Sequence, residues 1–211
     1  MNITNKNLKR RIIDISYRKK LSHIGSCLTA VDIIDEIFKT KKPDDKFVLS
    51  SGHAGLALYV VLEKYGGKNA ESIFDHHGVH PDRCIECGIN CSGGSLGHGI
   101  GIAVGMALAD RSHSIYCLIS DGECAEGSVW EALHIAYKRT PNLKIYLNFN
   151  EWGAYQPVTP KLLDRIKVFN PNVEVRHNNF DILLPILREP QEAHYKVMDE
   201  EEYTQIMEIL K

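Results

Sequence analysis

Apolar residues recur at helical spacing at Leu8, Ile12, Ile13 and Ile15, which predicts an amphipathic helix over Leu8–Lys20. Thr29-Ala30-Val31-Asp32 resembles a capping box and predicts a helix start there, with Ile33, Ile34, Ile37 and Phe38 as its apolar stripe. Lys46–Ser50 predicts a short buried strand, and Ala54–Tyr65 a helix stopped by Gly66 and Gly67. Ser114–Ile119 is nearly continuous in apolar character, as a strand covered on both faces must be. Val129, Leu133, Ala136 and Tyr137 then follow at helical spacing, and Leu143–Phe149 repeats the buried-strand pattern after Pro141. Strand, helix and strand in this order make a βαβ unit, so the two strands should be parallel and joined by a right-handed crossover. Past Gln156 the pattern weakens to a helix near Thr159-Pro160, a strand over Val173–Arg176 and a last helix from Asp199 with Glu202 as its third residue. The fold class is therefore α/β, a mostly parallel sheet flanked by helices.

Composition narrows this picture. With 211 residues, 44% apolar and 25% charged, the chain can bury one ordinary core, so a single domain is expected. Twenty-five basic residues against 27 acidic ones give a net charge of −2, which supplies no general basic surface for nucleic acid. The first residues, MNITNKNLKRR, are polar and then basic without an apolar region after them, so no secretory signal is visible. The most apolar stretch, Leu96–Ala109, contains His98 and four glycines and is too short to span a bilayer. Six cysteines without a signal read as reduced thiols. The expectation is a cytoplasmic protein with neither nucleic-acid nor membrane partners.

Parallel strands deliver their carboxyl ends to one rim, where open α/β sheets bind ligands. One predicted strand runs into Ser120-Asp121-Gly122 and the other into Asn148-Phe149-Asn150-Glu151, so Asp121 and Asn150 should be neighbours in space. A carboxylate, an amide oxygen and a loop carbonyl make a hard-oxygen site suited to magnesium that also holds a phosphate. Taken alone, the same two residues also read as a helix cap and a turn residue. A second feature is Gly93-Gly94-Ser95-Leu96-Gly97-His98-Gly99, which opens a helix whose small residues continue at Gly101, Ala103, Gly105 and Ala107. Amides at such a helix start favour a phosphate, although the same glycines would serve tight packing. Together the two features point to a magnesium-bound diphosphate.

Ser120-Asp121-Gly122, then Glu126-Gly127, Trp130-Glu131-Ala132 and Asn150, resemble the thiamine diphosphate motif of the transketolase family. The resemblance extends upstream through Gly94–Gly99, His80-Pro81-Asp82-Arg83, Phe47–Ala54 and Ser22–Ser26. These blocks occur in family order from about Ile12 to Gln156, so residues 1–156 are strongly family-like and 157–211 shortened and divergent within one domain over 1–211. The resemblance implies the pyrophosphate-binding, amino-terminal part of a transketolase. It further implies Asp121, Asn150 and the Trp152 carbonyl as magnesium ligands (calcium or manganese being substitutes), with Gly94, Leu96, Gly122 and His53 around the cofactor. His23, His53 and His80 match histidines that bind or orient donor sugar and cofactor phosphates. Glu126 and Glu131 match carboxylates shared across a subunit interface, and the stretch around His194 resembles one that supplies a further active-site histidine. Of the other histidines, His76, His77, His113, His134 and His177 read as surface or helix-face residues.

Departures from the family pattern are equally specific. The motif's opening glycine is Ser120, the loop Lys39–Lys46 is abbreviated, and Leu187–His194 lacks a strand and a basic, glycine-containing loop. The stretch Glu151–Gln156 is unusual as well, which bears on acceptor specificity. Cys84-Ile85-Glu86-Cys87-Gly88-Ile89-Asn90-Cys91, near His76, His77 and His80, has spacing that could hold zinc or an iron–sulfur cluster. With a single Cys-x-x-Cys pair in a segment that aligns without an insertion, the expectation is that these cysteines replace ordinary loop residues. Cys27, Cys117 and Cys124 read as packing residues.

The resemblance also implies a reaction. A two-carbon ketol unit would pass from a ketose, or its phosphate, to an aldose acceptor. The family needs a second, pyrimidine-binding module, for which this chain has no length left. The expected partner is a separate carboxyl-terminal subunit in a heterotetramer or larger assembly. Two alternatives stand beside it: a related thiamine diphosphate reaction on another sugar or a 2-oxo acid, and a non-catalytic regulatory relative.

Overall fold

The computed structural model describes residues 3–153, 157–178 and 194–211. Four strands, β1 (Lys46–Leu49), β2 (Ile115–Ser120), β3 (Leu143–Phe149) and β4 (Glu174–His177), pair in chain order, every pair parallel. The β2–β3 register sets Ile115 beside Leu143 and Ser120 beside Asn148, so both strands end at the same level.

Side chains alternate along each strand, and the two faces of the sheet carry separate cores. One face takes Phe47, Leu49, Tyr116, Leu118 and Tyr146, packed beneath α1 (Lys6–Lys19), α2 (Ile24–Thr40), α3 (Gly55–Gly66), α4 (Ala70–His77) and the last helix. The other takes Val48, Ile115, Cys117, Ile119, Ile145, Leu147 and Phe149 beneath α5 (His98–Ala109), α6 (Gly127–Arg139) and α7 (Lys161–Phe169). All six residues of β2 are buried, which accounts for its unbroken apolar run.

Most predicted elements stand within a residue or two of their expected ends. Gly67, at φ +72°, closes α3 in the left-handed conformation that favours glycine. The last helix, α8 (Glu200–Ile209), begins with the full capping box of Asp199 and Glu202. Two elements differ. The helix expected to start at Thr29 starts at Ile24, and Thr29 is an interior residue whose hydroxyl donates back to the Gly25 and Ser26 carbonyls at 3.1 and 3.2 Å. Asp32, expected within the cap, instead accepts from Lys9 at 2.6 Å and Asn5 at 2.9 Å. The unexpected element is α4, started by the Asn69 side chain, which accepts from the Ser72 N–H at 3.0 Å.

All six cysteines are free thiols, and Cys27, Cys117 and Cys124 are buried as packing residues. No helix among the described residues is long and apolar enough to cross a membrane. The expected missing strand and loop between Leu187 and His194 fall almost wholly outside the described residues.

Candidate active site

The carboxyl ends of the strands meet at a cavity of about 370 Å³, bordered by residues that follow β1, β2 and β3. His23, His53, His80, Gly94, Leu96, Asp121, Gly122, Asn150, Trp152 and His194 all line it. The four histidines, Gly94, Gly122 and the metal-ligand candidates are therefore brought to one place, whereas Gly93, Gly97 and Gly99 do not line the cavity. Glu126 and Glu131 are not: Glu126 ends the turn before α6, with its side chain toward Gly97, and Glu131 is exposed on α6.

Asp121 is buried, and its carboxylate organises the rim. One oxygen accepts the Asn150 and Glu151 N–H groups at 2.9 and 2.7 Å, and the other accepts the Gly122 N–H at 2.8 Å. Glu151 adopts φ +69°, a strained conformation for a residue with a side chain, and its N–H is one of those donors. Burial outweighs these donors and pushes the Asp121 carboxyl up to about 6. The adjacent Asn150 side chain offers its oxygen, which now accepts the Trp152 N–H at 3.0 Å. A buried carboxylate with no described cationic side chain against it, next to an amide oxygen at a polar cavity, fits a small hard cation.

The histidines form a second wall. His23 sits at φ +61° immediately before α2, and its N–H donates to the His194 carbonyl at 2.9 Å. Its ring centroid lies 4.3 Å from that of His194 and 5.7 Å from that of His53. Desolvation, aided by the neighbouring imidazoles, brings His23 down to about 4 and His53 to about 3, and desolvation lowers His194 too. At neutral pH these rings are uncharged, each with one N–H donor and one lone pair.

A family model described as transketolase, thiamine diphosphate binding domain, matches residues 6–148. The chain belongs to the transketolase family. It is 34% identical over 147 residues to an apulose-4-phosphate transketolase subunit of Phocaeicola vulgatus, covering 59% of this chain and 51% of that protein. It is 30% identical over 203 residues to the 6-deoxy-6-sulfo-D-fructose transketolase subunit SqwG of Clostridium sp. (strain MSTE9), covering 83% and 74%. A transketolase variant from Pichia stipitis superposes with a TM-score of 0.66 at 24% identity over 78% of this chain and 29% of that one, a likeness of fold. The chain spans 25% of the length of the Pongo abelii and Homo sapiens transketolases it matches.

Within this transketolase-family site, the glycine loop behaves differently from the sequence expectation. The Gly97 N–H donates to Glu123 at 2.8 Å and the Ile100 N–H to the Ser50 hydroxyl at 3.1 Å, so these amides at the start of α5 are already engaged inside the protein. The cavity meets the loop earlier, at Gly94 and Leu96. The glycines chiefly permit close approach: a Cβ at Gly99 would lie 2.5 Å from the Ser50 Cα. Ser120, which replaces the motif glycine, turns its hydroxyl to accept the Glu123 N–H at 3.3 Å.

Two residues that sequence reasoning passed over hold the site together. Glu123 is fully buried and accepts from the Ser50 hydroxyl, from Gly97, and from the Ser120 N–H at 3.2 Å, joining three loops. Its position in Asp-Gly-Glu gave no sign of this, since acidic residues are ordinary in a helical first turn. Thr29 is the other, its hydroxyl accepting from the Asn148 and Asn150 amides at 2.8 and 3.3 Å.

Proposed function

We propose that this chain is the diphosphate-binding subunit of a thiamine diphosphate- and magnesium-dependent transketolase. It would move a two-carbon ketol unit from a ketose or ketose phosphate to an aldose, together with a separate carboxyl-terminal subunit carrying the pyrimidine-binding module. The observation that carries this reading is the convergence of His23, His53, His80 and His194 with Asp121 and Asn150 on one cavity.

Asp121 and Asn150 would hold magnesium through side-chain oxygens, with the Trp152 carbonyl as third protein ligand, while Gly94, Leu96 and Gly122 border the diphosphate. When bound, thiamine diphosphate supplies the electron sink that cleavage of a sugar carbon–carbon bond requires. The protein's share is positioning and proton handling. The uncharged His23 and His53 rings can each accept a hydrogen bond from a sugar hydroxyl through one ring nitrogen and donate the other N–H to a sugar oxygen. A wall of neutral imidazoles suits a polyhydroxylated substrate.

The partner reading is supported by the names of the two bacterial relatives, each of which is called a transketolase subunit. A further support is α5, where a Cβ at Gly101 or Gly105 would meet nothing within 4 Å and Ile102 and Leu108 are 45% and 42% exposed. Glu126 and Glu131 lie away from the cavity and would act toward that partner. We further read 1–211 as one domain.

Tryptophan fluorescence of the purified chain, titrated with thiamine diphosphate, tests the half-site, because Trp152 lines the cavity. Saturable quenching that requires magnesium, is reversed by EDTA and is weakened in Asp121→Ala is the expected result. Ketol transfer should then require the second subunit. Full turnover by this chain alone would sink the two-subunit reading, and consumption of a 2-oxo acid in place of a ketose would move the enzyme to a related chemistry.

A further inference from the structure

Outside the active cavity, one cluster of side chains has the chemistry of a metal site. A ring nitrogen of His77 and the Sγ atoms of Cys84 and Cys87 all lie within 4.8 Å of one another. His77 is the last residue of α4, and the two cysteines sit on a tight turn closed by a pair of hydrogen bonds between Cys84 and Ile89, at 2.9 and 2.8 Å. The turn is already shaped around sulfur: the Cys87 N–H donates to the Cys84 Sγ at 3.3 Å. Gly88, at φ +86°, then returns the chain toward the core. An independent sign comes from the histidine, whose Nε2 is buried without any hydrogen-bond partner. Leaving a buried polar atom unpaired is costly, so this nitrogen calls for a partner that the protein itself does not supply.

We propose that His77, Cys84 and Cys87 bind a zinc ion that ties the end of α4 to the Cys84–Ile89 turn. Two sulfurs and an imidazole nitrogen form a borderline-soft set that suits zinc and disfavours magnesium or calcium. The two thiol protons leave to solvent on binding, so two thiolates and one neutral imidazole balance the ion's charge. No carboxylate among the described residues joins the cluster, so a water molecule takes the fourth position. An iron–sulfur cluster fits less well, because only three donors converge among the described residues.

The site's position gives it a use. Ile89 is buried in the core, a Cβ at Gly88 would press on Leu62 of α3, and the Asn90 side chain accepts from the Phe47 N–H of β1 at 3.0 Å. The turn is thus anchored, and a bound ion would anchor α4 to it. Between His77 and Cys84 runs the segment that carries His80 to the active cavity and Pro81 against Gly93, whose N–H donates to the Pro81 carbonyl at 2.8 Å. The ion would act as a clip on that segment, away from the reacting atoms.

The test is metal analysis of the tag-free, full-length chain purified under reducing conditions after growth with zinc. One zinc per chain is expected, retained in Cys91→Ser and reduced to background in Cys84→Ser/Cys87→Ser and in His77→Ala. Replacement by cobalt(II) should give a thiolate-to-cobalt charge-transfer band in the unmodified chain, a readout that needs no variant to fold. Zinc at background with both thiols shown to be reduced, or a zinc content unchanged in the double variant, would overturn the proposal. A Cys84–Cys87 disulfide found by mass spectrometry in the freshly isolated chain would overturn it equally.

Discussion

At the scale of single residues, the site is governed by buried groups whose charge states the fold has biased. The depressed His23 and His53 values, about 4 and about 3, have a direct consequence for stability. An unfolded histidine titrates near 6.5, so below that pH the unfolded chain takes up protons that the folded one refuses. Stability should therefore fall as pH drops through about 6.5 and continue to fall toward about 3. Urea unfolding at pH 7 and pH 5 will show the loss, and His53→Gln should make it smaller. Glu123 is the other sensitive residue, pushed up by burial yet accepting from Ser50, Gly97 and Ser120. Glu123→Ala would strand those donors and should cost roughly 3 kcal/mol by equilibrium unfolding, with Glu123→Gln costing less. Asp121 and Asn150 were legible in the sequence because strand ends in a βαβ unit share a rim. Glu123 and Thr29 were not, because their roles depend on which distant loops arrive beside them.

At the scale of elements, the glycines of α5 divide by face, and substitution should read that division. Gly99 lies against β1's end, where a Cβ would be 2.5 Å from a backbone atom. Gly99→Ala should therefore destabilise by roughly 1–3 kcal/mol. Gly101 has open space around its Cα, and Gly101→Ala should stabilise the isolated chain by roughly 0.5–1 kcal/mol through helix propensity alone. Thermal melts of the two variants, one falling and one rising, check the assignment. The displaced start of α2 shows why local signals misplace an element. Thr29-Ala30-Val31-Asp32 has capping-box character, yet the amides of Asn148, near the end of β3, and Asn150, just past it, need a hydroxyl there, and Lys9 needs Asp32. The short α4 escaped notice because only Ala70 and Ile73 are buried, too few to set up a helical period.

At the scale of the whole molecule, the exposed face of α5 is where a partner should register. Ile102→Lys should leave the melting temperature of the isolated chain nearly unchanged and weaken its co-purification with the proposed carboxyl-terminal subunit. Retained association at unchanged strength would place the contact elsewhere. The sequence by itself determined the layered parallel architecture, since buried strands alternating with amphipathic helices allow few other arrangements. It also determined the chemical kinds of residue available at the rim. Only the tertiary structure decided that His194, far along the chain, packs on His23, that the start of α5 spends its amides on Glu123 and Ser50, and that His77 faces two cysteines across a turn. The physical reason is common to all three. Periodicity records which side of an element is buried, whereas hydrogen-bond partners and donor clusters are set by loop contacts between segments distant in sequence.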